Sequence, residues 1–333
     1  MPVLLGIQSK VISHGNEMIR SMSMMGSVRR RQHFSKFLQE IVQHKWLYVM
    51  LIIPVVLIFL FSYMPMGGVT IAFKDYNMFK GVWGSEWVGL KYFRQVFSFT
   101  QFWDSVRNML VLNVVGLVLG FPAPIILALF LNEIKQRHFK KTVQTVMYMP
   151  HFISWVVVGG MMYQLFASSG FVNSILHMFG VSTVPFLSSN GWWIFTYFFT
   201  GLWKSIGWNT IIYLSAMTGI DQQIYEAARV DGCSRFRMMI SITMPSILNT
   251  IMIMLILAIG GLASIGFEQP FVMQNSVVME VSDVVSTYVY RVGIKQAKFS
   301  IGTAVGLAQS VINFILVISA NTISRRITGE SIW

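Results

Sequence analysis

Residues 220–245, IDQQIYEAARVDGCSRFRMMISITMP, are the most polar stretch between two long apolar segments of this 333-residue chain. Asp221 is placed to cap a first helix, because its carboxylate can accept hydrogen bonds from the free amide groups of the first turn. Ile220 and Tyr225 hold the positions of a hydrophobic staple. Gly232 falls where this helix must end and where the backbone needs a positive φ. The sequence therefore predicts a capped helix that ends in a glycine turn.

A second short helix is expected after the glycine turn. By the i, i+3, i+4, i+7 spacing, its apolar face consists of Phe236, Met239, Ile240 and Thr243. Pro245 marks the entry to the next apolar segment, and in the first helix Ala227 and Ala228 allow another surface to approach closely. On spacing alone, the stretch is either a solvated loop between membrane spans or a docking surface.

The composition places most of the chain in lipid. Hydrophobic residues make up 54% of the chain and charged residues 11%, and the mean hydropathy is +0.61. A soluble domain carries roughly 25% charged residues, so the sequence predicts an all-α, polytopic membrane protein. The single cysteine, Cys233, excludes a disulfide within the chain and is interpreted as a small structural residue.

Six apolar segments each come near the ~20 residues that a helix needs to cross the hydrocarbon core. They are predicted at about 46–73, 105–131, 143–166, 192–218, 246–267 and 301–323. Together they form one transmembrane domain over residues 46–326, between a basic N-terminal arm at 1–45 and a short tail at 327–333. The connection 168–190 carries no Lys, Arg, Asp or Glu and is expected to form a helix on the outer face.

The basic residues predict the orientation in the membrane. Sixteen of the 25 Lys and Arg lie on the side that holds the arm, the polar stretch and the tail, and eight lie on the other side. Because basic residues accumulate on cytoplasmic loops, we expect both termini and residues 220–245 in the cytoplasm of a bacterial inner membrane. This distribution accounts for the net charge of +12 without nucleic acid, and the arm is expected to touch anionic lipid.

The sequence lacks the residue patterns of several other protein classes. It contains no G-x-x-x-x-G-K-[ST] loop for ATP phosphates, no Cys and His set with metal-ligand spacing, and no pair of carboxylates within a predicted span. We therefore predict no catalytic residue, no metal site and no cofactor on this chain. A membrane-embedded enzyme is the disfavoured alternative.

Residues 220–245 resemble, position by position, the cytoplasmic loop of the permease subunits of ATP-driven importers. That loop has the pattern E-A-A, three residues, G, nine residues, I, one residue, a large apolar residue and P. The matching residues are Glu226, Ala227, Ala228, Gly232, Ile242, Met244 and Pro245. Met244 stands where the family usually has Leu, a change within one size class.

The resemblance extends over about residues 45–326. Five further stretches are similar to the polysaccharide and oligosaccharide branch of these permeases, to which the alginate importer's first permease subunit belongs. They are Tyr63–Tyr76, Trp87–Leu90, Gly120–Glu133, Tyr148–Ser154 and Trp203–Asn209. The resemblance implies a type I ABC importer permease with six transmembrane helices and a cytoplasmic coupling-helix loop.

The function that the resemblance implies is a translocation path for a saccharide. The candidates are oligo- and polysaccharides, including an acidic one such as alginate, and a permease for another solute class is the alternative. The implied partners are a second, similar permease in a heterodimer, two ATPase subunits that bind ATP and Mg²⁺, and an extracytoplasmic solute-binding protein. The residues assigned to ATPase coupling are Glu226, Ala227, Ala228, Asp231, Gly232, Phe236 and Pro245.

Lys204 is the clearest ionisable residue at membrane depth, and such a residue is a functional hypothesis by default. It is either an electropositive point in the translocation cavity, suited to an acidic or hydroxyl-rich substrate, or a structural residue. As a structural residue, it extends to the interface or pairs with a neighbouring subunit. Other candidates for the substrate path, each with helix packing as the alternative, are Trp203, Asn209, Gln269 and Tyr288.

Overall fold

The computed structural model describes residues 43–328. The predicted N-terminal arm lies outside them except for residues 43–45, and the predicted tail lies outside them from residue 329 on. The described chain divides into two units, with the boundary between Gly68 and Val69.

The first unit contains helix α1, Lys45–Ile58, which continues as a π-helical turn at Phe59–Tyr63. A 3₁₀ segment follows at Met64–Phe73, where Pro65 lacks a backbone donor. Apart from Lys45 at its start, the side chains of α1 are apolar or aromatic, and they are exposed. Because a helix that is apolar on all sides suits lipid, α1 has the composition expected of the predicted first span.

Within its described residues, the second unit consists of helices, one short hairpin and the loops that connect them. In chain order its elements are β1 (Lys74–Asp75), α2 (Gly81–Gly84), β2 (Glu86–Trp87), α3 (Lys91–Ser98), α4 (Thr100–Val115), α5 (Pro122–Glu133), α6 (Arg137–Tyr148), α7 (Trp155–Phe166), α8 (Phe171–Met178), α9 (Asn190–Thr218), α10 (Gln222–Val230), α11 (Arg235–Met238), α12 (Met244–Ser246), α13 (Leu248–Gly260), α14 (Glu268–Met273), α15 (Met279–Ser282), α16 (Val285–Val289) and α17 (Phe299–Thr328). Turns of π or 3₁₀ helix lie at Gly116–Gly120, Met149–Phe152, Met239–Thr243, Ser276–Val278 and Tyr290–Lys295. Strands β1 and β2 pair antiparallel, with Lys74 opposite Trp87.

Several of these helices are long and apolar enough to cross a membrane. Within residues 43–328 there are four, or five if one helix pair that bends by 63° counts as a single span. They are Lys45–Phe73, Thr100–Glu133, Trp155–Met178, Phe299–Ser319 and the bent pair Arg235–Ser246 with Leu248–Gly260. Helix α9, at the predicted fourth span, is 29 residues long but carries Lys204 and other polar residues. A count of six spans therefore stays a prediction.

The predicted third span, 143–166, contains a break. Helix α6 ends at Tyr148, a 3₁₀ turn follows, and α7 begins at Trp155. Pro150 cannot donate a backbone hydrogen bond, and Ile153 and Ser154 have extended backbone angles. The hydropathy of the sequence is continuous here because it reports side-chain polarity and not the continuity of the backbone. Helix α8 lies in the connection 168–190, where a helix was predicted.

The predicted fifth span, 246–267, ends its helix early, because α13 stops at Gly260 and α14 begins at Glu268. Side-chain amides of α4 and α17 bind three carbonyl oxygens of the intervening segment. The pairs are Asn113 with Leu262 at 2.7 Å and Ser264 at 3.0 Å, and Gln309 with Ala263 at 2.8 Å. Non-helical backbone at membrane depth requires such partners, so these amides stabilise the break.

Three clusters of buried side chains form the core of the second unit. The first surrounds Trp193 and Tyr288, the second packs Leu131 and Tyr213 with Met239 of the polar stretch, and the third joins α7 to α8 around Val158. The second cluster matters most for the site, because it attaches residues 220–245 to α5, α9 and α13.

Candidate functional site

The first helix of the polar stretch has the predicted ends. The Asp221 carboxylate accepts a hydrogen bond from the Gln223 amide at 2.9 Å at the start of α10. At the other end, Gly232 has a φ of +74°. The Cys233 amide donates to the carbonyl of Ala228 at 2.9 Å, which closes the helix end. The predicted cap and glycine turn are both confirmed.

The second helix of the stretch begins as predicted but continues differently. The Ser234 hydroxyl accepts from the Arg237 amide at 3.3 Å and caps α11. After one turn the backbone becomes π-helical at Met239–Thr243. A π-helical turn contains one residue more than an α-helical turn, so the side chains after it no longer follow the i, i+3, i+4, i+7 pattern.

This change corrects the predicted apolar face of the second helix. The buried side chains are Met238, Met239 and Thr243, whereas Phe236 and Ile240 are exposed. Phe236 is 66% exposed. A large exposed aromatic ring next to a glycine turn is an apolar contact surface without a partner in the described part of this chain.

The residues predicted for coupling lie together on one exposed loop. Of the seven, Ala228 is half-buried and the others are exposed: Glu226, Ala227, Asp231, Gly232, Phe236 and Pro245. Tyr225 is the buried residue of α10, and its phenol oxygen lies 2.8 Å from the Thr243 hydroxyl. This buried hydrogen bond joins the two arms of the loop, so the loop is attached to the core as one piece.

A cavity of about 510 Å³ lies between α4, α5, α9 and the end of α13. Its polar lining side chains are Asn113, Ser205, Asn209 and Gln269, and its aromatic ones are Phe121, Trp155, Tyr197, Phe198 and Tyr213. None of the described residues that line it is Asp, Glu, Lys, Arg or His. Amides and aromatic rings can bind hydroxyl groups and apolar ring faces, so the cavity suits a neutral polar surface.

The cavity brings together two of the predicted path residues. The amide of Asn209 is exposed and makes no hydrogen bond to residues 43–328. Gln269 donates to the Tyr197 carbonyl at 2.8 Å and packs closely against Gly201, where an added Cβ would lie 3.0 Å from the Gln269 amide nitrogen. The Asn209 amide therefore has free donors and acceptors in the cavity, whereas the Gln269 amide nitrogen already donates a hydrogen bond within the chain.

The structure places the other predicted path residues away from this cavity. Tyr288 is 1% exposed and packs in the first core cluster, with its ring 6.3 Å from that of Phe102. This burial corrects the expectation that Tyr288 lines the path. Trp203 is half-buried against the third core cluster and does not line the cavity.

Lys204 binds backbone carbonyls of the break between α6 and α7. Its ammonium donates to the carbonyls of Pro150 at 3.3 Å, His151 at 2.7 Å and Ile153 at 2.6 Å. The residue is 8% exposed and does not line the cavity. An ammonium has three protons, so all of them are used. This placement corrects the expectation of an electropositive point in the cavity, and equally that of a lysine that extends to the interface.

Sequence reasoning missed Trp155, Asn113 and Gln309. Trp155 lines the cavity and its ring lies 5.4 Å from the Lys204 nitrogen. Asn113 and Gln309 hold the non-helical segment after α13. A polar amide inside each of the second and sixth predicted spans was the available signal, because a buried amide in lipid needs a partner.

Several membrane-length helices, an exposed polar loop and a cavity lined by neutral side chains are features of a membrane permease component. Residues 120–329 match the family described as binding-protein-dependent transport system inner membrane component, and the chain belongs to this family. The family comprises the permease subunits of ABC importers.

Two relatives from Bacillus subtilis (strain 168) are similar along nearly their full length. The chain is 41% identical over 305 residues to the polygalacturonan/rhamnogalacturonan transport system permease protein YteP, covering 91% of this chain and 95% of that protein. It is 42% identical over 290 residues to Protein LplB, covering 87% of this chain and 91% of that protein.

A solved structure supports the same assignment. It is a crystal structure of a bacterial ABC transporter involved in the import of the acidic polysaccharide alginate. The matched chain has a TM-score of 0.80 at 36% identity, and the match covers 88% of this chain and 99% of that chain. A crystal structure of a bacterial alginate ABC transporter in complex with an alginate pentasaccharide-bound periplasmic protein matches with a TM-score of 0.79. The fold is that of a type I ABC importer permease.

Proposed function

We propose that this chain is the permease subunit of an ABC importer for an oligosaccharide or polysaccharide, coupled to a separate ATPase through residues 220–245. The observation that carries the coupling is the exposed loop around Gly232, locked to the core at Tyr225. The relatives support a saccharide, because one is a polygalacturonan/rhamnogalacturonan permease and another belongs to a transporter of alginate. Both of those substrates are acidic, and an acidic saccharide is accordingly the proposed class.

The contact with the ATPase is assigned to the exposed side of α10 and the turn that follows it. Val230 is 88% exposed and Phe236 is 66% exposed, so two large apolar side chains flank the turn. Ala227 lets a partner backbone approach closely, and Glu226 makes no ion pair within residues 43–328 and is available to a partner. A cluster of exposed apolar side chains with a polar rim marks a protein contact.

The proposed mechanism depends on the contacts that attach this loop to the core. The hydrogen bond between Tyr225 and Thr243 joins both arms of the loop, and the second core cluster connects them to α5, α9 and α13. A displacement of the loop by the ATPase would therefore move these helices with it. Two arrangements of the helices, one open inward and one open outward, would be the states that nucleotide binding favours alternately.

The complete transporter has further proposed components. They are a second, similar permease that forms a heterodimer with this chain, two ATPase subunits that bind ATP and Mg²⁺, and an extracytoplasmic solute-binding protein. The assembly is placed in a bacterial inner membrane with both termini in the cytoplasm. The proposed transmembrane domain covers residues 46–326, with the basic arm at 1–45 in contact with lipid and the tail at 327–333.

The substrate path is assigned to the 510 Å³ cavity, with Asn209 and Gln269 as its predicted polar groups. Their amides suit the hydroxyl groups of a sugar, and Trp155 and Phe198 offer aromatic faces for its apolar C–H surface. The carboxylates of an acidic saccharide would meet no cationic side chain among these lining residues.

The test is to purify this chain with its co-expressed partners and to measure ATP hydrolysis with a panel of neutral and acidic oligosaccharides. We expect stimulation by at least one saccharide, provided that the binding protein is present. Stimulation by amino acids, peptides or metal ions and by no saccharide would replace the proposal with a permease for another solute class.

A further inference from the structure

We infer that Lys204 is a positioning residue, which holds the break between α6 and α7 and thereby sets the cavity wall at Trp155. The inference rests on the proposed function only in taking the cavity as the substrate path. It differs from the role that membrane depth suggests, in which the positive charge of Lys204 would attract the substrate.

The backbone of the break explains why a lysine is present. Between Tyr148 and Trp155 the chain leaves the α-helix, so its carbonyl groups lose their helical partners. No water is available in the bilayer core to replace those partners. The Lys204 ammonium binds three of these carbonyls at 2.6–3.3 Å. In exchange, the carbonyl dipoles stabilise a charge that would otherwise be costly to bury.

The neighbouring turn of α9 confirms that the two backbones are closely packed. Gly207 lies three residues after Lys204, and a Cβ at Gly207 would be 2.0 Å from the carbonyl oxygen of Met147. Lys204 and Gly207 are therefore on one face of α9. Gly207 brings α9 against the end of α6, and Lys204 binds the break that follows.

The break is connected to the cavity through Trp155. This residue is the first of α7 and lines the cavity, and the Lys204 nitrogen lies 5.4 Å from its ring centre. Within residues 43–328, the direct contacts of the Lys204 ammonium are carbonyls and the indole ring, and the charge of Glu268 acts on it from beyond ion-pair distance. An ammonium over an indole face is a favourable contact. Loss of the ammonium would release both the break and the ring.

The first experiment compares Lys204→Met with Lys204→Arg in the reconstituted transporter, using neutral and acidic oligosaccharides of matched length. For Lys204→Met we expect kcat/KM for uptake to fall by about tenfold to a hundredfold, because unpaired buried carbonyls carry that penalty. The kcat/KM values for the neutral and the acidic oligosaccharide should fall to the same degree. Lys204→Arg should restore part of the loss, since guanidinium groups also donate to carbonyls. A loss confined to acidic oligosaccharides would overturn the inference in favour of direct charge recognition.

If Lys204→Met does not assemble, Lys204→Gln provides the same comparison, because its amide keeps two donors. The need for a cation would be overturned if Lys204→Gln had the wild-type kcat/KM for uptake and Lys204→Arg were no better than Lys204→Met.

The second experiment detects the position of the break directly. In a Cys233→Ala background, Ser154→Cys places a single thiol in the break, and Ser98→Cys in α3 is the matched control. We expect Lys204→Met to raise the rate of labelling by a polar thiol reagent several-fold at position 154 and to leave position 98 unchanged. Equal rates with and without Lys204 would overturn the inference.

The two proposals fail in different ways. Labelling in lipid nanodiscs does not require transport, so it tests Lys204 even if no saccharide proves to be a substrate. Conversely, normal saccharide uptake with unchanged labelling in Lys204→Met would retain the proposed function and reject the positioning role.

Discussion

The loop at residues 220–245 and the break between α6 and α7 differ in where the hydrogen-bond partners of their helix ends come from. In both, a helix ends and leaves backbone groups without helical partners. In the loop the partners are near in sequence: Asp221 caps an amide two residues away, and the Cys233 amide binds the Ala228 carbonyl five residues away. At the break the partner is Lys204, which is 51 to 54 residues away.

The difference follows from the surroundings of each region. The loop is exposed, so water or short polar side chains can satisfy its helix ends, and those side chains occur at fixed offsets in the sequence. The break lies among apolar spans, where only another part of the protein can supply donors. Asn113 and Gln309 serve the break after α13 in the same way as Lys204 serves this one.

The largest effect is expected from Gly207→Ala, which disturbs a contact between segments that are remote in sequence. Gly207→Ala would place a Cβ 2.0 Å from the Met147 oxygen, so α9 and α6 must separate. We expect a loss of about 3 kcal/mol in stability, as for overpacking in cores, measured as a lower thermal unfolding midpoint of the purified complex. The control is Gly160→Ala in α7, where a Cβ meets no atom within 4 Å. Equal midpoints for both variants would contradict the close packing of α9 on α6.

The next effect concerns the local turn. Gly232→Val adds no clash, because nothing lies within 4 Å of an added Cβ, but its φ of +74° is unfavourable for a β-branched residue. That conformation costs about 1–2 kcal/mol per residue, so we expect uptake to fall by about tenfold with the permease still inserted. Gly232→Asn, which tolerates this conformation, should retain most of the activity. Normal uptake and substrate-stimulated ATP hydrolysis in the Val variant would reject the docking role of the turn.

A smaller effect tests whether the loop moves as one piece. Tyr225→Phe and Thr243→Val each remove one partner of the buried hydrogen bond between the two arms. We expect each to cost about 1 kcal/mol, with the double variant costing little more than one of them. The measurement is a double-mutant cycle on thermal stability and on coupled ATP hydrolysis. Strictly additive effects would indicate that the two hydroxyl groups do not interact.

The smallest effect is expected from Asn209→Ala in the cavity, with Tyr288→Phe in the core as its control. Asn209→Ala removes an amide that is free in the cavity, so we expect a few-fold rise in the KM for saccharide uptake, the effect of one hydrogen bond. Tyr288→Phe alters a ring in the first core cluster and should leave that KM unchanged. A rise for Tyr288→Phe and none for Asn209→Ala would reverse the assignment of the cavity.

The features of the site that depend on partners near in sequence could be predicted, whereas those that depend on remote partners could not. The cap at Asp221 and the turn at Gly232 are local patterns, and they were predicted correctly. The apolar face of the second helix was predicted correctly at Met239 and Thr243 and wrongly at Phe236 and Ile240. The π-helical turn that begins at Met239 has no signal in the hydrophobic period. Tyr288 was assigned to the path because an aromatic residue in an outer segment suits either a cavity or a core, and only its burial distinguishes them.

By itself, the sequence determined the membrane class, the helical content, the ends of the first loop helix and the family. These depend on composition and on residues that lie close together in the chain. Only the tertiary structure decided where the third and fifth predicted spans break, which residues line the cavity and what Lys204 binds. The physical reason is that a backbone carbonyl can be paired by any donor that the fold brings near it, and carbonyls are the same in every residue.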